Sequence, residues 1–117
     1  AAYYNNVGSF YFKLGHDEQA GKMHGEALKA RVILFGESHF ESAQSYANLA
    51  LVLVRSGKVV EGLDHFEKAL CGFESNLKVS GSDYQIVAAN YRDVLESMGD
   101  ERSVEALDQR LVKNSLV

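Results

Sequence analysis

Residues 2–28 read AYYNNVGSFYFKLGHDEQAGKMHGEAL, and the scaffold they set out returns twice at a fixed interval. Tyr4, Val7, Gly8 and Tyr11 share one helical face, and Ala20, His24 and Ala27 share a second, because residues three and four apart fall on the same side of a helix. A shift of 42 residues gives Tyr46, Leu49, Ala50 and Leu53, then Gly62, Phe66 and Ala69. A second shift gives Ala88, Tyr91, Arg92 and Leu95, then Val104, Asp108 and Leu111, with no gap in either step. Two columns are identical in all three copies: Asn6, Asn48 and Asn90, and Gly15, Gly57 and Gly99. Glycine takes the left-handed conformation without a Cβ penalty, so each of these glycines marks the end of a helix and an equivalent turn.

The pattern predicts six helices over roughly 1–14, 17–35, 40–56, 59–77, 83–98 and 101–114, paired as three hairpins. Downstream of the first turn, Ala20, Met23, Ala27, Leu28, Arg31 and Leu34 continue the packing face. Asp17 and Glu18 sit where a helix N-terminus favours negative charge, and Asp100 is placed to cap the last helix. Gly36-Glu37-Ser38-His39 and Val79-Ser80-Gly81-Ser82 read as the turns between hairpins. The chain is thus one domain of three repeats, roughly 1–38, 39–80 and 81–117. A hairpin of this size cannot bury its apolar face alone, so the copies must stack side by side. The fold class is all-α, a right-handed superhelix of three helix hairpins.

Composition fits that class and excludes others. At 117 residues and 46% apolar content, the chain can bury a core, and the absence of proline removes the strongest helix breaker. A net charge of -4 gives no field to draw a polyanion, which argues against nucleic acid and against an acidic membrane surface. Cys71 is the one cysteine, so no disulfide can close within the chain, and a reducing, cytoplasmic location fits best. No run of residues is long and apolar enough to span a membrane. The sequence opens inside a helical pattern at Ala1-Ala2-Tyr3-Tyr4 and reads as a piece of a longer protein.

The Tyr4-x2-Val7-Gly8-x2-Tyr11 and Ala20-x3-His24-x2-Ala27 spacings resemble the tetratricopeptide repeat signature. The period of 42, the Tyr4-Asn5-Asn6-x-Gly8 opening and the Phe35-Gly36-Glu37-Ser38-His39 connector look like the kinesin light chain subtype of that family. The third copy departs from the signature, with Arg92 for a small residue and Asp108 for an aromatic one, and Phe40 stands where that subtype usually has proline. The resemblance implies a non-catalytic protein–protein interaction module whose first helices line a concave groove.

On that face lie Ala2, Asn6, Ser9 and Lys13, then Gln44, Asn48, Leu51 and Arg55, then Ile86, Asn90, Asp93 and Ser97. Mid-helix asparagine is disfavoured relative to alanine, yet it recurs at one register. An amide offers both a donor and an acceptor, so a ladder of Asn6, Asn48 and Asn90 suits the backbone of an extended peptide. The bland alternative is that the amides bond to the neighbouring hairpin and only set repeat spacing. Lys13 and Arg55 repeat at one end of the stripe, suited to acidic ligand side chains, and Asp93 breaks the basic run. A basic clamp for a terminal carboxylate, as in chaperone-tail adaptors, has no counterpart in the third copy.

No constellation assembles a nucleophile with its base, and no cofactor or metal site is expected. His16, His24, His39 and His65 are scattered, and His24 falls in the slot that Phe66 fills one copy later. Cys71, beside Leu70, reads as a buried inert thiol with no basic residue near it. A second functional reading is self-association or intramolecular regulation, in which the open N-terminal end at Ala1 to Tyr4 docks another copy or another domain. Helix 101–114 then reads as a terminal cap.

Overall fold

A computed structural model describes residues 1–115 of the chain. Among the described residues there are six helices and no strand: α1 (Ala2–Lys13), α2 (Asp17–Phe35), α3 (Phe40–Arg55), α4 (Val59–Glu74), α5 (Leu77–Ser97) and α6 (Glu101–Ser115). Each packs chiefly on the helices before and after it, and the first helices of successive hairpins also touch, α1 with α3 and α3 with α5. The result is a stack of three hairpins with the odd-numbered helices along one side.

The three hairpin turns are built alike. Gly15, Gly57 and Gly99 have φ of 79°, 88° and 73°, the left-handed region the sequence reserves for glycine. After each, the following N–H reaches back five residues: His16 to the Tyr11 carbonyl (2.9 Å), Lys58 to Leu53 (2.8 Å) and Asp100 to Leu95 (3.1 Å). The glycine N–H closes the inner ring on Phe12, Val54 and Glu96. This paired closure satisfies carbonyls that a helix end would otherwise leave open. Asp100 caps α6, its carboxylate accepting from the Ser103 N–H (3.1 Å) and hydroxyl (2.7 Å). The His39 imidazole does the same for α3, Nδ1 accepting from the Glu41 N–H at 3.1 Å.

The core runs through the second and third hairpins. Ala43, Ala47 and Ala50 of α3 let α4 approach closely, so that Phe66, Leu70 and Phe73 are fully enclosed. Gly62 and Gly72 complete the close approach, since a Cβ on them would lie 2.6 Å from Val54 Cγ2 and 2.7 Å from Ala43 Cβ. From α5, Tyr84, Val87, Tyr91 and Leu95 cover this surface, the Tyr91 ring stacking on Phe66 at 5.2 Å. Each large side chain so buried contributes about 1.5–3 kcal/mol.

Three expectations are corrected. The segment Val79-Ser80-Gly81-Ser82 is helical, because α5 starts at Leu77 and the turn is made by Ser75 and Asn76. The buried Ser80 hydroxyl donates to the carbonyls of Phe73 and Asn76, both at 2.8 Å, which anchors the first turn of α5 to the end of α4. That anchor outweighs the helix cost of Gly81. Leu34, placed on the packing face, is 72% exposed: the buried stripe of α2 runs through Ala20, His24, Ala27 and Arg31 and stops before its last turn. Cys71 is exposed. Its neighbours Leu70, Gly72 and Phe73 point inward, and one residue around the helix Cys71 faces out, with the Arg110 guanidinium donating to Sγ at 3.6 Å.

Candidate functional site

The face shared by α1, α3 and α5 carries a cavity of about 320 Å³ lined by Asn5, Gln44, Ala47, Asn48, Leu51, Phe73, Asp83, Ile86, Val87 and Asn90. Five of the residues marked on that face in the sequence therefore meet: Gln44, Asn48, Leu51, Ile86 and Asn90. Helical spacing explains it, because 44, 48 and 51 form one stripe of α3 and 83, 86, 87 and 90 form one stripe of α5.

Hydrogen bonds stitch the three helices together across this face. Asn48 Nδ2 donates to Asn5 Oδ1 at 2.7 Å, linking α3 to α1. Gln44 Nε2 donates to Asp83 Oδ2 at 3.1 Å, linking α3 to α5. Each amide has further capacity, since Asn48 keeps its carbonyl oxygen and a second N–H. Asn90 makes no side-chain hydrogen bond to another described residue. The floor is apolar, with Leu51, Ile86 and Phe73, so the cavity alternates amide groups with hydrocarbon.

The remaining marked residues lie elsewhere. Asn6 is exposed and outside the cavity lining, and its neighbour Asn5 takes the place. One residue along a helix is a turn of about 100°, and the angle at which α1 crosses α3 decides which of the pair faces in. Ser9 is half-buried, while Lys13 and Asp93 are exposed, and none of the three lines the cavity. Arg55 is engaged within the chain. Its Nε donates to Asp17 Oδ1 at 2.8 Å, its Nη2 to the Phe12 carbonyl at 2.5 Å, and its guanidinium carbon lies 3.5 Å from the centroid of the Phe12 ring. The hydrogen bond from Arg55 holds the Asp17 carboxyl below the usual range. Asp83, Ala47 and Val87 were not marked, although Asp83 has an acidic counterpart, Glu41, at its register in the 42-residue frame.

The hairpins close at one register by three different chemistries. In the first, the His24 ring lies so close to Gly8 that a Cβ there would meet it at 2.9 Å. In the second, Ala50 and Phe66 are both fully buried. In the third, Arg92 and Asp108 form a two-pronged ion pair, Nε to Oδ1 at 2.8 Å and Nη2 to Oδ2 at 3.1 Å. The two departures from the repeat pattern thus compensate each other. His24 is 2% exposed with Nδ1 unpartnered, and burial, with Arg31 second, lowers its pKa. Arg31 is itself buried, donating to Ser45 Oγ at 2.9 Å and to the Glu41 carbonyl at 3.3 Å, with Glu41 as its ion-pair partner.

On the opposite side, Arg110 of α6 bridges Glu67 (2.8 Å) and Glu74 (2.7 and 2.8 Å) of α4. Glu74 also accepts from the hydroxyl of Tyr84 and the amide of Asn114. Burial and the bond to Glu74 push the Tyr84 phenol up to about 12. Among the described residues no group of three or more His, Cys, Asp or Glu side chains is placed to hold a metal ion, and no helix is long and apolar enough to cross a membrane.

The stacked helix hairpins, repeating every 42 residues and closed by equivalent glycine turns, define a helical repeat protein. A family model for the tetratricopeptide repeat matches residues 1–75, and the chain belongs to that family, whose members generally mediate protein–protein interaction. No curated protein sequence matches the chain.

Proposed function

We propose that this chain is a non-catalytic adaptor module that holds an extended segment of a partner protein along the α1, α3 and α5 face. The observation that carries the reading is the convergence of Gln44, Asn48 and Asn90 with Asn5 in one cavity floored by Leu51 and Ile86. An extended backbone presents an N–H and a C=O at every residue, and an amide matches both. Asn6, Ser9, Lys13, Arg55 and Asp93 serve as the outer margin of that groove. Arg55 acts there by fixing α3 on α2 through Asp17.

The 42-residue spacing and the Tyr4-Asn5-Asn6-x-Gly8 opening support the kinesin light chain kind of repeat, with repeats near 1–38, 39–80 and 81–117. A single cysteine supports a reducing, cytoplasmic setting, and the net charge of -4 supports protein over nucleic acid or membrane as partner.

The test is a displayed library of extended peptides selected on the wild-type chain, with the selected peptides titrated against an Asn48→Ala, Asn90→Ala double variant. Binding weaker by tenfold or more, about 1.4 kcal/mol, with helicity and melting temperature close to the parent's, is the expected result. Undiminished affinity per folded molecule, with a large loss of stability, would assign the asparagines to repeat spacing alone.

A further inference from the structure

One carboxylate on the α1, α3 and α5 face lacks the partner that its equivalents have. Every other half-buried carboxylate among the described residues is matched within the chain: Asp17 by Arg55, Glu41 by Arg31, Glu74 by Arg110, Asp108 by Arg92, and Asp100 by the N–H and hydroxyl of Ser103. Asp83 is half-buried in the cavity wall and takes one bond, at Oδ2, from the Gln44 amide. Among the described residues it is the one charged side chain lining that cavity. The repeat frame shows what is missing. Glu41 stands at the Asp83 register one copy earlier, and there Arg31 pairs with it at 3.8 Å and donates to Ser45 Oγ at 2.9 Å. Carried forward by 42 residues, Arg31 becomes Phe73 and Ser45 becomes Val87, and both line the cavity. The carboxylate recurs and its arginine does not.

We infer that the segment held in this groove carries an arginine whose guanidinium meets Asp83, beside an apolar side chain that covers Ile86 and Leu51. This rests on the peptide-binding reading above and names the residue that the groove selects. A carboxylate partly withdrawn from water beside Phe73, Val87 and Ile86 is stabilised by a charge-assisted bond from a cation. Asp83 Oδ1 and the side-chain carbonyls of Asn48 and Asn90 accept no hydrogen bond from a described residue. Arginine suits them better than lysine, because five N–H donors in a rigid fork serve a carboxylate oxygen and an amide carbonyl together. Ile86 lies one turn along α5 from Asp83 and is 59% exposed, so in an extended segment the arginine and the apolar residue fall two apart, on one face. Asp93, exposed on the same stripe, adds to the negative potential, whereas Arg55 is neutralised by Asp17. Lys13 stands at the C-terminal end of α1, at the register of Arg55 and away from that of Asp83. The groove therefore favours a basic segment over an acidic one.

A displayed library of random nonapeptides, selected in parallel on the parent chain and on Asp83→Lys, tests it. Peptides selected on the parent are expected to be enriched in arginine two residues from an apolar side chain, and those selected on Asp83→Lys to carry aspartate or glutamate in its place. Changing the arginine of one parent-selected peptide to alanine should weaken binding to the parent by about tenfold, but by less than about twofold to Asp83→Asn, as measured by isothermal titration calorimetry. The amide in Asp83→Asn keeps an oxygen for Gln44, so helicity and melting should match the parent. Selected peptides that depend on Asn48 and Asn90 but show no arginine overturn the inference and leave the groove reading in place. So does an arginine whose removal costs as much against Asp83→Asn as against the parent. A library that yields no binder to the parent overturns both.

Discussion

Replacing His24 with phenylalanine should make the chain more stable and flatten its response to acid. The slot is 2% exposed, Nδ1 has no partner, and the same register in the second hairpin holds Phe66. A buried polar group left unpaired costs about 1–3 kcal/mol, and the larger ring adds roughly one buried CH, about 0.8 kcal/mol. Against this, the His24 ring already abuts Gly8, and fitting a six-membered ring there takes back part of the gain, about 1–2 kcal/mol. The net is about 1 kcal/mol of stabilisation, or about 4 °C in melting temperature for a domain of this size. The pH term has a definite sign. Burial and Arg31 hold the folded-state pKa of His24 below its ordinary 6.5, so the unfolded chain binds the proton more readily. Stability is therefore full above about 6.5 and is lost as pH falls from there towards the folded value, and His24→Phe removes that part of the slope. Thermal melts of parent and variant at pH 7.5 and at pH 5, followed by circular dichroism, measure both effects. A variant that melts below the parent at both pH values, or that keeps the parent's full loss of stability between them, would refute the reasoning about this slot.

Two glycines in helices should respond in opposite ways to alanine. Gly81→Ala lies inside α5 with open space around its Cβ position, so it should stabilise by about 0.5–1 kcal/mol, whereas a turn at that point would give no such gain. Gly72→Ala puts a Cβ 2.7 Å from Ala43 Cβ and should cost about 1–3 kcal/mol by pushing α3 and α4 apart, as urea denaturation of both variants would show. Arg110→Met should remove the ties between α6 and Glu67 and Glu74, at a cost of about 2 kcal/mol. Burial alone would raise the Glu74 carboxyl, but hydrogen bonds from Arg110, Tyr84 and Asn114 hold it below its ordinary 4.5. The parent therefore carries stability above about 4.5 that is lost as pH falls through the folded value, and stability curves from pH 7 to pH 3 should show the variant losing less over that range.

Much of the site could be read from spacing, and its errors have one source. Gln44, Asn48, Leu51 and Asn90 share a cavity because a stripe on one helix is fixed by the 3.6-residue turn. Asn5 rather than Asn6, and Asp83 as the partner of Gln44, depend on how one helix crosses another, which a periodic pattern does not encode. Arg55 had the spacing of a groove cation, but Asp17 and Phe12 of the neighbouring hairpin engage it first. Cys71 was assigned from its neighbour Leu70, and one step around a helix reverses inside and outside.

By itself the sequence determined what is local and what repeats: helices from apolar spacing, turns from glycines that alone adopt φ near +80° without strain, and stacking from hairpins too small to bury their own faces. Only the tertiary structure decided where competing local preferences were settled. Ser80 is compatible with a turn or a helix, and its bonds to the Phe73 carbonyl at the end of α4 and to the Asn76 carbonyl one turn back made it helical. Arg92 and Asp108 broke the repeat pattern separately and are explained only as a pair, because sixteen residues of chain bring two opposite charges to the register where the other hairpins pack a small residue against a ring.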